Sequence, residues 1–463
     1  MLAADVRAAE SQPPASTRDV GPLYQQFCAG CHGEKLTGGK AGSLLDRVWK
    51  YGNDDASIAR NILNGVPASG MPAFRAALSD AEAQAFVVFI REMATRRIDP
   101  QPKQADPLPL SVQHSEEHNF RFELVAEGLE VPWSIAFLPD GRILFTERAG
   151  RLRVIEKGRL LPDPIEGIPS VIARDEGGLL SVVPHPDFAH NNWIYLSFSD
   201  PGESETAMTK IVRGKLRDGR FVEQETIFSI PREQYQKGFI NYGCRMVFSG
   251  DYLFFTIGER GVVGQAQDLK VANGKVHRVF ADGKIPADNP FVNTPGAVPS
   301  IWSYGHRNPE GLALDSRSGE LWETEHGPRG GDELNLIQRG RNYGWPVITY
   351  GMNYDGTAIT DRTEQAGLEQ PVAHWTPSIA VCPVLVYSGE KFPRWKNQLL
   401  VGSLAQQKFL RIVVDHGRVG HQEEVFKNLG RVRDILTAPD GSIIVAFEPP
   451  GQPGRMARIV PAD

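Results

Sequence analysis

The chain has no apolar run approaching the length that crosses a bilayer, and no long run of basic residues. The first absence argues against a membrane span. With 50 basic against 56 acidic residues and a net charge of −6, nucleic acid and anionic membrane surfaces are poor candidates for the main partner. Cysteine is scarce: four residues in 463 cannot make a dense disulfide framework. Cys28 and Cys31 stand close together, whereas Cys244 and Cys382 are isolated and open to two readings, a bridge or two buried thiols. The first twenty residues are polar, contain proline and lack the apolar core of a secretory leader. An exported protein of this sequence would therefore be the processed form, without its leader. What remains is ordinary for a soluble globular protein, 41% hydrophobic and 23% charged, and long enough for more than one domain.

Residues 19–98 read as a small helical domain. Val20, Leu23, Tyr24 and Phe27 recur at helical spacing ahead of Cys28-Ala29-Gly30-Cys31-His32. Two thiols in this spacing can form thioethers to haem vinyl groups, and the adjacent His32 can serve as axial ligand. A redox pair or half a zinc site fits less well, because no second C-x-x-C follows. A sixth ligand should be a soft donor downstream. Met71, in the loop S-G-M-P-A-F, is preferred to Met93, which falls within a helix opened by the capping box Ser79-Asp80-Ala81-Glu82. The segment resembles a class I cytochrome c. Residues 99–117 follow as a proline-rich, extended linker.

From 118 to 463 the pattern changes to short β-rich runs between turns. Six units share a rhythm of apolar strand, turn, apolar strand, beginning near Trp133, Leu179, Cys244, Gly311, Pro377 and Val432. The expected fold is thus an all-β six-bladed β-propeller with an N-terminal all-α cytochrome c domain. The strand near Phe120 is expected to close the ring, and a propeller would gather its inter-blade loops at one mouth.

Within the propeller, Ser303–Pro346 concentrates His306, Arg307, Asn308, Glu325, His326, Asp332 and Glu333 around glycine-flanked turns. Such a density suits an anion and a hard cation held together. It also suits polar turns that merely cap strands.

The motifs G-G-L-L-S-V-V-P-H-P-D-F, G-H-R-N-P-E-G-L-A, E-H-G-P-R-G-G-D-E-L-N-L-I, N-Y-G-W-P and G-R-V-R-D resemble those of the soluble PQQ-dependent glucose and aldose sugar dehydrogenases and their sorbosone-dehydrogenase relatives. The resemblance implies that Arg307 and Asn308 contact PQQ and that Arg431 and Arg433 clamp its carboxylates. It also implies a Ca²⁺ on the carbonyls of Gly327 and Pro328, Ser378 beside the cofactor, and a second, structural calcium at Glu333 and the Tyr343 carbonyl. His185, in H-P-D-F, reads as framework. Three positions depart from the family. Its general-base histidine is here Asn241, its pocket glutamine is Glu176, and its PQQ-contacting lysine is Ala405, with Lys408 the nearest substitute. The first two changes suggest that Glu176 is the base and Asn241 orients the substrate hydroxyl, unless Glu176 merely pairs with Arg174. The implied protein is a periplasmic quinohaemoprotein dehydrogenase. It would oxidise an aldose-type sugar or related alcohol and pass electrons through haem c to an external one-electron acceptor. A bulkier non-sugar substrate, or a ligand-binding propeller without turnover, are the alternatives.

Overall fold

The computed structural model describes residues 17–46, 48–102 and 104–462. The reading of the first twenty residues thus falls mostly outside the described part. Two compact units result. One comprises the residues up to Pro100 together with Pro328–Gly330 and Pro346–Gln365; the other takes the rest.

The first unit is helical, with α1 (Val20–Phe27), α2 (Ala29–His32), α3 (Asp55–Asn64) and α4 (Asp80–Ile98). Asp19 starts α1 by accepting from Gly21 N at 2.8 Å, and the helix buries Val20, Leu23 and Tyr24. Helix α4 begins with the expected capping box: Ser79 Oγ accepts from Glu82 N at 3.2 Å, while Glu82 Oε2 accepts from Ser79 N at 2.9 Å. Ala83, Phe86, Val87 and Ile90 then face a core shared with Ile58 and Ile62 of α3. Segment 346–365, which lies inside the range expected for the propeller, adds Met352 and Ala358 to this core. Replacing Ser79 by alanine strips one orphan N–H of its acceptor. It is expected to cost about 1 kcal/mol, read as an earlier loss of helical circular dichroism in denaturant.

The second unit contains six antiparallel sheets, five of four strands and one of five. Their inner strands are Pro132–Phe137, Leu179–Pro184, Gly243–Ser249, Pro309–Leu314, Val381–Val386 and Arg431–Thr437. Each inner strand touches the inner strand of the next blade, and the last touches the first, so the ring is closed. Closure is made as expected by Asn119–Leu129, which pairs with Gly454–Pro461 and joins the final blade before the chain enters the first. The proline-rich stretch is extended but not free: Asp106 N donates to Asn428 O at 2.6 Å, and Gln113–His114 already pairs with the closing strand. The inner strands are buried on both faces, which is why their sequences read as near-continuous apolar runs.

All six inner strands share a feature the sequence did not advertise. Each carries a register shift close to its N-terminal end, at Pro132/Ser134, Leu179/Val182, Gly243/Met246, Pro309/Gly311, Val381/Val384 and Val432/Asp434. A bulge re-aims the residues beside it. It recurs around the ring, where each inner strand follows its preceding loop.

Candidate active site

These bulged ends carry Glu176, Asn241, Arg307, Asn308, Ser378, Arg431 and Arg433, which precede or begin five of the six inner strands. The ring therefore brings together residues that the sequence scatters over more than half its length. The charge pattern bears this out. Burial and the positive charges of Arg307, Arg433 and Arg431 push the His326 imidazole down to about 3, so all three guanidiniums lie near enough to act on one side chain. His326 Nε2 is buried and has no hydrogen-bond partner.

The guanidiniums differ in how far they are compensated. Arg307 Nη1 donates to the carbonyls of His326 at 3.0 Å and Gly327 at 3.3 Å, and the group lies 5.4 Å from the Trp345 ring centroid. Arg433 Nε is hydrogen-bonded to Glu448. Arg431 Nε lies 3.6 Å from Glu448 Oε2 but makes no hydrogen bond, although it is buried. Arg148 is a fourth cation here, one the sequence reading missed; burial and the nearby Arg433 lower its affinity for its proton.

Asn241 stands between two carboxylates. Its backbone N–H donates to Glu176 Oε2 at 2.6 Å, and its carboxamide donates to Glu259. Glu259 is 1% exposed, its Oε2 is unpartnered, and burial raises its pKa above the usual carboxylate range. Asn241 and Arg260 both adopt left-handed φ, 52° and 60°, conformations that cost free energy outside glycine and cluster at functional sites. Gly258 makes the packing possible: a Cβ there would sit 2.2 Å from Asn241 O and 2.9 Å from Asn308 Oδ1. Arg174 does not pair with Glu176; its ion-pair partners are Asp175 and Glu205. Glu176 Oε1 accepts no hydrogen bond from the described residues.

Asn308 is held by both ends of its amide, accepting from Gly243 N at 3.0 Å and donating to Glu310 Oε1 at 3.1 Å. Ser378 Oγ is engaged by Asp332 Oδ1 at 2.7 Å. The same carboxylate accepts from Gly327 N at 2.9 Å, Ile379 N at 2.9 Å and Val381 N at 3.0 Å, tying the E-H-G-P turn to the Ser378 loop. Burial pushes Asp332 up to about 6, and its four donors oppose that shift. Asp332→Ala leaves those donors buried without an acceptor. The expected cost is at least about 3 kcal/mol, read as a lower denaturation midpoint.

The Lys408 ammonium, nearest in the chain to the missing lysine, pairs with Glu424 at 3.0 Å. Cys244 and Cys382 are both buried and free, which settles the question of a bridge. His185 is structural, as expected: Nδ1 accepts from Asp187 N at 3.0 Å and the ring packs on Tyr195 and Phe248. Below the site, Arg245 pairs with Asp434 at 3.0 Å and lies 4.1 Å from the Trp133 ring centroid. Farther along the inner strands is a mainly apolar cavity of about 420 Å³. Arg148 and Glu259 did leave a signal in the sequence. T-E-R-A-G, G-E-R-G and T-E-H-G place an acidic–basic pair at matching turns of three blades.

A tricarboxylate such as PQQ fits this cluster, because Arg431 Nε is a buried donor without a hydrogen bond, in a group of three cations that act on one side chain. The Gly327 carbonyl accepts from Arg307, and Glu333 is half-buried beside further carboxylates; both are the oxygen donors calcium uses. In the helical unit, Cys31 N donates to Cys28 O at 3.1 Å, which puts both thiols on one tight turn. His32 Nδ1 lies 2.9 Å from Gly42 O, a contact that fixes the ring and leaves Nε2 for a metal. Trp49 Nε1 is buried without a partner, as a donor awaiting a haem carboxylate would be. Met71 and Met93 both pack against this core.

The family model described as "Glucose / Sorbosone dehydrogenase" matches residues 129–458, and that described as "Cytochrome C oxidase, cbb3-type, subunit III" matches residues 15–90. Aldose sugar dehydrogenase YliI of Escherichia coli (strain K12) is 41% identical over 331 residues, which cover 70% of this chain and 88% of that protein. A crystal structure of the soluble aldose sugar dehydrogenase from Escherichia coli in the apo-form aligns with TM-score 0.70 at 38% identity, covering 74% of this chain and 100% of that one. The PQQ-bound form of aldose sugar dehydrogenase from Streptomyces coelicolor aligns with TM-score 0.60 at 27% identity, covering 74% and 98%. The closed six-bladed ring, its guanidinium cluster and these likenesses agree: the chain belongs to the glucose/sorbosone dehydrogenase family, a PQQ-type sugar dehydrogenase and oxidoreductase joined to an N-terminal cytochrome c domain.

Proposed function

We propose that the protein is a periplasmic quinohaemoprotein that oxidises an aldose-type sugar or related alcohol and passes the electrons to its own haem c. The observation that carries this is the convergence of Arg307, Arg431 and Arg433 on His326 in a chain that also holds C-A-G-C-H. Bound in that cluster, PQQ would supply two-electron redox chemistry, and haem c one-electron chemistry. Arg307, Asn308, Ser378, Arg431 and Arg433 would hold the acidic cofactor, the carbonyls of Gly327 and Pro328 would hold a calcium ion, and Glu333 and Tyr343 would hold a structural one. Cys28 and Cys31 would anchor haem, and His32 and Met71 would hold its iron. Glu176 takes the hydroxyl proton, and the carboxamide of Asn241, steadied by Glu259, orients that hydroxyl.

The altered base position favours a second reading, a bulkier non-sugar alcohol or aldehyde as substrate. One experiment separates the two. The haem-loaded protein is reconstituted with PQQ and Ca²⁺, and haem reduction is followed spectroscopically against a panel of aldoses and other alcohols. Reduction by aldoses supports the first reading, and reduction only by other alcohols supports the second. No substrate-driven reduction overturns the electron route.

A further inference from the structure

Behind Arg307, the paired strands Leu321–Glu325 and Asp332–Ile337 set four polar side chains on one buried face. Glu323 lies opposite Asn335, and Glu325 opposite Glu333. Residues two apart share a face of a strand, so three carboxylates crowd around a single amide. The Asn335 amide nitrogen lies 3.0 Å from Glu323 Oε2, 3.2 Å from Glu325 Oε1 and 3.2 Å from Glu333 Oε2. An amide has two hydrogens and cannot satisfy all three. Glu323 Oε1 and Asn335 Oδ1 are buried with no partner at all.

Among the described residues no lysine or arginine offsets Glu323 or Glu333: the groups acting on Glu323 are Glu325, Asn335 and Glu333, and those acting on Glu333 are Glu325, Asn335 and Asp332. Leaving even one buried carboxylate uncompensated costs several kcal/mol. One further side chain enters this pocket. His306, fully buried, holds Ser303 Oγ at 2.9 Å through Nε2 and directs Nδ1 to Glu325 Oε1 at 3.2 Å. One ligand atom each from His306, Glu323 and Glu325 lie within 4.8 Å of one another.

We propose that His306, Glu323 and Glu325 bind a divalent first-row transition-metal ion. An ion bonded at about 2.0–2.2 Å would draw these atoms only slightly inward. It would occupy the open valence of Glu323 Oε1 and balance the Glu323 carboxylate, which no lysine or arginine faces among the described residues. The imidazole decides the class of ion: mixed nitrogen and carboxylate donors suit manganese or zinc, whereas calcium takes oxygen alone. The site is thus chemically distinct from the calcium positions at Gly327–Pro328 and at Glu333–Tyr343. Its consequence is positional. Glu325 Oε2 accepts the backbone N–H of Arg307, and the Arg307 carbonyl accepts from Glu259 N at 2.8 Å. The ion would hold Arg307 in register with the site without touching cofactor or substrate.

The test reads metal per chain rather than turnover, so its result is independent of the proposed oxidation. Full-length haem-loaded protein, dialysed in metal-free buffer and then incubated with Mn²⁺ or Zn²⁺, is desalted and analysed by elemental mass spectrometry. Haem iron is subtracted from the haem absorbance. About one equivalent of Mn²⁺ or Zn²⁺ is expected, retained in excess Ca²⁺, with at least a tenfold loss of affinity in Glu323→Gln and none in the exposed control Glu390→Gln. Should Glu323→Gln fail to fold, the wild type alone decides by calorimetric titration of the stripped protein with Mn²⁺. Saturation at one ion per chain, with a raised melting temperature, supports the site. No heat and an unmoved melting temperature overturn it, as does uptake of calcium alone or full Mn²⁺ retention in Glu323→Gln. A protonated-carboxyl infrared band that persists after Mn²⁺ treatment would also count against it, since shared protons would then be the counter-charge.

Discussion

Arg307→Ala is expected to weaken PQQ binding by tens to several thousandfold, the equivalent of about 2–5 kcal/mol for removing one partner of a buried charge pair. Arg307 belongs to the three-guanidinium cluster around His326 and reaches the Gly327 carbonyl. Its loss therefore removes a planar donor from the acidic cofactor's seat. Arg307→Lys should recover little, because a point charge on a flexible stem does not reproduce the fork. Arg431→Ala is a milder companion. Its Nε has no hydrogen bond to lose, so folding stability should hold while PQQ affinity drops by about 10- to 100-fold, in line with about 1.5–3 kcal/mol for a charge-assisted bond. Arg174, paired with exposed acids, is the control. Equilibrium titration with PQQ reads all four variants. Wild-type affinity in Arg307→Ala would remove the electrostatic basis of the proposed site.

Glu176→Gln tests the proton acceptor. As general base, Glu176 should contribute about 10²–10⁴-fold to turnover, with little change in PQQ affinity. The substitution keeps the shape and an oxygen that can accept from Asn241 N, so misfolding is a poor explanation for any loss. Turnover surviving within about tenfold, below the range for a general base, sinks the assignment. Glu259→Gln makes an informative contrast. It keeps an oxygen for the Asn241 carboxamide and for Gly261 N, which donates at 3.1 Å, so it should change KM more than kcat. A larger kcat loss in Glu259→Gln than in Glu176→Gln would transfer the proton to the buried carboxylate.

The sequence alone made the proposed haem attachment legible, since Cys28, Cys31 and His32 are neighbours in the chain and their spacing is the chemistry. It determined the number of blades too, because each repeat is a local pattern of apolar strands and turns. The arginines and Asn308 were legible through whole motifs, and the capping box of α4 was legible because such a cap spans only four residues.

Tertiary structure decided what depends on pairing across distance. Asn335 faces three carboxylates only because two strands pair in one register, and a shift of one residue would turn each of these side chains to the opposite face. Glu259 meets Asn241, and Arg148 approaches Arg433, only because the ring closes and each inner strand bulges at its entry. Lys408 shows the same dependence: it is near the Ala405 position in the chain, while strand pairing sets its ammonium beside Glu424. Segment 346–365 joins the helical unit through Met352 and Ala358, side chains that no local pattern sets apart from an ordinary propeller loop. Local spacing fixes what bonded neighbours can do, whereas the meeting of remote groups is a property of register and closure.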